Sequence, residues 1–242
     1  MWCDFVPFTF KEEAIMDNSC TVLKQQVLVL LSGGIDSAVC AAKLCAEGKK
    51  VHALSLRYPG DTNWVEINNA TFLAKKLNIL HVVLDFKFIE QMLGGTNTNM
   101  SFNVGGSVNN CVSRGKTPVP MSVELLHLTA LMFARIRGIK HIYWAIHQDD
   151  LIGTSQEKVL EYLRALEKLP ALGSYSPCNF ETPFIGYSKK DMVNLGVTLD
   201  IDFRFTHSCS ASSDVPCGVC RQCMLRASAF DSFVPLKQAV GA

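Results

Sequence analysis

Val27–Leu31 is a continuous apolar run of strand length, the pattern of a strand buried on both faces. It breaks at Ser32-Gly33-Gly34, after which Asp36–Glu47 reads as a helix rich in Ala that stops at Gly48. Val51–Leu56 predicts a second strand. Asn63–Leu77 predicts an amphipathic helix with Val65, Ile67, Phe72, Leu73 and Leu77 leaning to one side, and Leu80–Phe86 a third strand. Strand, helix, strand, helix, strand at this spacing implies βαβ units, hence an α/β fold with a parallel sheet and helices on both of its faces. The rhythm lapses between Lys87 and Pro120, where Gly94-Gly95-Thr96-Asn97 and Gly105-Gly106-Ser107 are turn-rich, the character of a functional lid or a mobile insertion. It resumes with a helix at Ser122–Arg137, a strand at His141–Ile146 and a helix at Ser155–Leu169 ended by Pro170. A short strand at Phe180–Ile185, a helix at Ser188–Leu195 with Ser188 as N-cap, and a short last helix follow. No repeat and no shift of composition marks a second domain, so residues 25–242 read as one domain behind an N-terminal extension of residues 1–24.

Composition narrows the class. The chain has 242 residues, 48% of them hydrophobic and 19% charged, enough apolar content for a sizeable core. Twenty-three Lys and Arg against 22 Asp and Glu leave a formal charge of +1, which excludes a bulk cationic surface for polynucleotides though not a local basic cleft. Apolar runs fall far short of the roughly 18 residues of a membrane span. The opening MWCDFVPFTFKEEA lacks the basic and continuously apolar regions of a secretory signal. A cytoplasmic protein without membrane association is expected.

Two clusters carry chemistry. Of the ten cysteines, Cys3, Cys20, Cys40, Cys45, Cys111 and Cys178 are scattered singly, as small buried hydrophobes are. Cys209, Cys217, Cys220 and Cys223 instead crowd together, and four thiolates close a tetrahedral zinc site with no open position. Such a site is a structural clasp rather than a Lewis acid; an iron–sulfur cluster is the alternative, and His207 is a substitute ligand unless it is simply a surface histidine nearby. The second cluster is Ser32-Gly33-Gly34-Ile35-Asp36-Ser37, set between a buried strand and a helix. Its glycines let the backbone approach a ligand, and the free N–H groups at the helix start attract an anion. Its spacing fits neither the dinucleotide fingerprint nor the Walker A loop.

SGGxDS directly after the first strand resembles the pyrophosphate loop of the N-type ATP pyrophosphatases, which have the adenine nucleotide alpha hydrolase-like fold and cleave ATP between its α and β phosphates. The resemblance implies that Ser32, Gly33, Gly34, Asp36 and Ser37, with Leu54 and Leu56 of the second strand, bind ATP and its Mg2+. Together with C-x7-C-G-x-C-x-x-C-x-x-R at residues 209–226, it resembles the QueC family of 7-cyano-7-deazaguanine synthases. The likeness runs from about Val27 to Phe230 and includes Pro118-Val119-Pro120, Glu181-Thr182-Pro183 and Lys189. It implies Asp36 and Lys189 as catalytic residues, Lys189 reaching the phosphates unless it is a solvated helix lysine. Arg226 either faces the active site or merely pairs with a carboxylate. The family adenylates the carboxylate of 7-carboxy-7-deazaguanine, lets ammonia displace AMP to give the amide, and uses a second ATP to dehydrate it to the nitrile. Zinc, in a C-terminal knuckle over residues 207–226, completes the cofactors implied.

The departures from that family matter equally. Met121-Ser122-Val123 stands where the family has Gly-Arg-Asn, and Thr154-Ser155-Gln156-Glu157-Lys158 replaces most of a Ser-Gly-Tyr-Pro-Asp-Cys-Arg run. Asp149, Asp150 and Glu157 are the carboxylates left to read the N1–H and N2–H2 donors of a deazaguanine; Asp149 and Asp150 are alternatively an acidic patch at a helix start. These losses favour an enzyme that stops at the amide or joins the base to an amine of a partner protein, of the sort found beside antiphage defence proteins, over the housekeeping nitrile synthase of queuosine biosynthesis. A non-catalytic nucleotide-binding subunit is the third reading, opposed by the intact SGGxDS. Trp2, Phe5, Phe8 and Phe10 are unusually aromatic for a free tail and suit contact with the domain or a partner; a homodimer is also compatible.

Overall fold

β1 (Gln26–Leu30) is central in the sheet, and its alternating side chains serve two cores at once. Val27, Val29 and Leu31 join one core and Leu28 and Leu30 the other, each at most 6% exposed, which is why the run had to be apolar throughout. The computed structural model describes residues 24–58, 64–88, 100–101, 117–118, 122–169, 176–210 and 215–231. After β1 come α1 (Ile35–Ala46), β2 (Lys50–Arg57), α2 (Trp64–Lys76) and β3 (Leu80–Asp85). Then follow β4 (Met100–Ser101), β5 (Thr117–Pro118), α3 (Ser122–Ile136), β6 (His141–Tyr143) and α4 (Gln156–Lys168). β7 (Asn179–Glu181), α5 (Lys189–Thr198) and α6 (Arg221–Asp231) complete the series, with 3-10 turns at Gln148–Asp150 and Phe203–Phe205.

The main sheet has the order β3-β2-β1-β6-β7 and is parallel throughout. Val39 and Leu44 of α1, Met192 and Val193 of α5 and Phe230 of α6 cover one face. Leu131 and Phe133 of α3 with Val159 and Leu163 of α4 cover the other. The expected α/β sheet with helices on both faces is therefore observed. β4 and β5 form a separate two-residue parallel pair. Among the described residues no helix is long and apolar enough to cross a membrane.

Several boundaries differ from expectation for identifiable reasons. β6 stops at Tyr143 because, beyond the last bond from Trp144 N–H to Glu181 O, the chain leaves the ladder for the 3-10 turn. β7 ends before Thr182 because Pro183 has no N–H to continue it and 183–186 is a turn. α5 outruns its expected end at Leu195 and reaches Thr198. In α2 the buried residues are Ala70, Leu73 and Ala74, while Phe72 turns outward and stacks on Phe205 with ring centroids 3.7 Å apart. Cys40 and Cys178 are buried as expected, and Cys45 only partly. The N-terminal aromatic segment and nearly all of the expected insertion between 87 and 120, with Met121, lie outside the described residues.

Gly196 shows how closely α5 seats on α1. A Cβ there would lie 2.5 Å from Phe203 Cζ and 2.9 Å from Val39 Cγ2. Gly196→Ala is expected to destabilise the fold by about 1–3 kcal/mol through overpacking, read as a lower denaturant midpoint at unchanged slope.

Candidate active site at the head of the central strand

The sheet order makes β1 and β6 neighbours although β2 and β3 intervene in sequence, so a crevice opens where the strand order reverses. Two segments enter it: the loop after β1 and residues 144–150 after β6. The first is self-braced. Ser32 N–H donates to Ser37 Oγ at 3.1 Å, the two hydroxyls are 3.1 Å apart, and Ser37 Oγ–H donates to Gly34 O at 3.2 Å. Gly33 has φ +80°, and a Cβ on it would lie 2.1 Å from the carbonyl oxygen of Glu66, so only glycine fits. Gly34 gives α1 no side-chain cap, leaving the first-turn N–H groups for an anion.

Asp36, in that first turn, is the centre of the site. Lys189 Nζ lies 2.6 Å from its Oδ2, and Lys189 is only 5% exposed, which rules out the solvated helix lysine. Burial alone raises the Asp36 carboxyl, but the Lys189 ammonium and the His147 ring outweigh it and lower the pKa to about 2. His147 is fully buried, with Nε2 3.5 Å from Asp36 Oδ1 and 3.4 Å from Asp150 Oδ2. Its Nδ1 accepts the Asp149 N–H at 3.2 Å, which leaves the ring proton on Nε2, between the two carboxylates. Asp36 Oδ1 and His147 Nε2 are both buried without a hydrogen bond, facing each other at a separation too loose for one. Asp150 closes a capping box on His147, and burial, reinforced by the Asp36 charge, raises its carboxyl. Asp149 Oδ2 accepts the Lys189 N–H at 2.8 Å and its carbonyl accepts Arg221 Nη2 at 2.7 Å.

The four expected cysteines come together as a unit: their Sγ atoms all lie within 4.8 Å of one another. Backbone N–H groups of Cys217, Cys220 and Cys223 donate to the sulfurs of Cys209, Cys217 and Cys220, which favours thiolates. This donor set fits one tetrahedral zinc ion. The knuckle also reaches the crevice. Arg226 of α6 donates to Thr206 Oγ1, Ser208 Oγ and Phe203 O, and His207 N–H donates to Gly33 O at 2.9 Å.

The expected residues thus divide. Asp36, Lys189, Asp149 and Asp150 are brought together with the Ser32–Ser37 loop. Glu157 is not: it is exposed in the first turn of α4, beside the capping Ser155. Leu54 and Leu56 are buried core residues in the cluster that includes Leu131 and Phe133 of α3. Arg226 is engaged by the 203–208 segment rather than by a carboxylate, and His207 is buried, not a surface histidine. His147 and Arg221 were missed. The signal for His147 was its place just beyond a strand at the switch point; nothing in the sequence pointed to Arg221.

The family model described as "Queuosine biosynthesis protein QueC" matches residues 26–234. The chain belongs to the QueC family. It is 27% identical over 207 residues to the 7-cyano-7-deazaguanine synthase of Pseudoalteromonas atlantica, covering 86% of this chain and 94% of that protein. It is 29% identical over 206 residues to the synthase of that name from Archaeoglobus fulgidus, covering 85% of each. Among solved structures it is similar to the NMN synthetase of Francisella tularensis, with TM-score 0.47, 14% identity, and coverage of 90% of this chain and 87% of that one.

In this QueC-family chain the buried pair is expected to govern stability as well as chemistry. Lys189→Met strands the Asp36 carboxylate and should destabilise the fold by about 3–5 kcal/mol. Asp36→Leu combined with Lys189→Met should recover most of that loss in urea unfolding, because no unpaired charge remains. Chelation of zinc should lower the melting temperature and raise protease cleavage within 203–210, the segment that Arg226 holds.

Proposed function

We propose that the protein adenylates the carboxylate of 7-carboxy-7-deazaguanine with ATP and transfers the acyl group to ammonia, forming the amide. A carboxylate oxygen attacks the α-phosphorus and pyrophosphate leaves; ammonia then attacks the acyl carbon, AMP leaves, and one proton is released. The observation that carries this reading is the buried Asp36–Lys189 pair beside the glycine loop at the switch point. The Ser32–Ser37 loop and the open first turn of α1 suit the departing pyrophosphate, and Lys189 supplies a positive charge at the same place. Asp36 is the carboxylate that would hold Mg2+ arriving with the nucleotide, and the ion would supply positive charge to offset the phosphates. Of the three carboxylates left to read the ring, the geometry favours Asp150, which flanks the crevice, over Asp149, whose Oδ2 accepts the Lys189 N–H, and over the outlying Glu157.

The amide is the proposed end product. The Thr154–Lys158 run, which departs from the family, is occupied in starting α4: Ser155 Oγ caps it from Lys158 N–H and Gln156 bonds Ile185 O. Dehydration requires a neutral amide oxygen, a weaker nucleophile than a carboxylate, to attack phosphorus. Losing a positioning contact in such a step costs about 10²–10³ in rate. The second reading is complete conversion to the nitrile, favoured by the name of the relatives.

Incubation with the acid, ATP and ammonia, followed by mass spectrometry, is expected to show amide, AMP and pyrophosphate. Nitrile formed as fast as the amide would establish the second reading, a conjugate mass would identify a different amine as acceptor, and ADP would refute adenylation altogether. Asp36→Ala should abolish turnover. Asp150→Asn should weaken binding of the acid about 10- to 100-fold while leaving an analogue without the 2-amino group nearly unaffected.

A further inference from the structure

α3 is apolar on its outer side as well as on the side that packs on the sheet. Between Val123 and Ile136 its exposed positions are Leu128, Met132 and Ile136, at 41%, 58% and 76% exposure. Spaced four apart, they form one stripe along the side of the helix away from the sheet, where polar residues belong. His127 and Thr129, by contrast, are buried. Other large apolar side chains are exposed on this molecule, but these three line up along one helix, and a continuous apolar stripe marks a surface that something covers.

The chain itself supplies an occupant at the right end. α3 runs down to the amino-terminal edge of the sheet, where β1 begins, and the pairing of Leu28 with Ile142 places Gln26 beside Lys140. Gln26 Oε1 lies 3.0 Å from His52 Nε2, and burial, Lys50 and Arg137 together hold the His52 ring below its usual range. The stripe's terminal residue, Ile136, therefore lies at the same end of the sheet as Lys24, the first described residue. The segment of residues 1–23 carries Trp2, Phe5, Phe8 and Phe10, and its charges are Asp4, Glu12, Glu13 and Asp17 against Lys11 alone. The edge it would cross carries the exposed cations Arg137 and Lys140. Reach is no obstacle: the chain between Phe10 and Leu23 spans up to roughly 40 Å, whereas the stripe is about 12 Å long.

We propose that residues 2–10 of this chain dock on the α3 stripe of the same molecule through their aromatic side chains, with Glu12, Glu13 and Asp17 lying against Arg137 and Lys140. The arm is then an intramolecular cover for the outer core rather than a partner-binding tail.

The test is photo-crosslinking in the full-length protein with benzoylphenylalanine in place of Phe8, using a mixture of light and 15N-labelled chains. The expected product links position 8 to the 122–140 peptide within one isotopic chain. Links between light and heavy chains would assign the stripe to a second copy and overturn the proposal, as would links elsewhere or none. A second readout does not depend on the probe. Hydroxyl-radical oxidation of Met132 should rise several-fold when Phe5, Phe8 and Phe10 are all replaced by Ser in the full chain, and an unchanged rate would overturn the proposal.

Discussion

A largely buried carboxylate at the start of α1, its side chain 21% exposed, is the constraint around which the rest is organised. Taking one such ion out of water costs several kcal/mol even after relaxation, so the fold must bring a counter-charge to it. That charge is Lys189, which lies 153 positions along the chain. Delivering it requires α5 to lie against α1, hence a glycine at 196 where the helix meets Val39 and Phe203. Placing an ammonium at a helix N-terminus opposes the helix dipole. Two carboxylates at the same terminus answer this: Asp191 in the Ser188 capping box and Asp149 on the Lys189 N–H. The ion pair, the helix docking and the capping are one solution to one electrostatic problem.

Where sequence and structure agree, the pattern was local and strong. β1 was legible because a strand buried on both faces leaves an uninterrupted apolar run, and Ser188 because a capping box is a short-range signal. β6 and β7 were overextended because apolar residues continue past the last ladder bond: Ala145 and Ile146 are buried without being paired. In the site, the clustering of the four cysteines was readable from spacing, whereas Asp36 was singled out by the resemblance that SGGxDS carries. His147 was not, since a buried histidine gives no periodic signal and its importance depends on two carboxylates meeting over it. Glu157 failed for the complementary reason. Its place in the 154–158 run that departs from the family says nothing of direction once α4 begins there.

The four-cysteine cluster explains how an element late in the sequence bears on a loop early in it. Cys220 and Cys223 bracket the first turn of α6, which carries both Arg221 and Arg226. Arg226 holds residues 203–208, from which the His207 N–H reaches Gly33 O. Arg221 holds the Asp149 carbonyl on the other wall. One helix thereby fixes the two loops that border the crevice. Gly33 is pinned from two sides, by His207 and by the Glu66 carbonyl, so its backbone cannot relax without disturbing both. A metal held by these four cysteines would be felt in the geometry of the Ser32–Ser37 loop, although it would lie outside the crevice.

The two carboxylates flanking His147 are driven in opposite directions. Asp36 is held down by Lys189 and the ring, while Asp150, sharing the ring but not the direct lysine contact, is raised by burial and by Asp36 itself. In the proposed reaction this separates two tasks. A carboxylate fixed as an anion beside Lys189 suits the charge-dense end of ATP, where metal and phosphates must be balanced. A carboxylate at the crevice wall, with its ionised form less favoured when empty, gains most when a ligand donates N–H groups to it. Recognition of the base would therefore be strongest for a ring that offers those donors, and the selectivity would originate in the same burial that makes the empty site electrostatically unsatisfied. The loose contact of His147 Nε2 with both oxygens fits this arrangement: one proton faces two acceptors and is fully committed to neither until the crevice is filled.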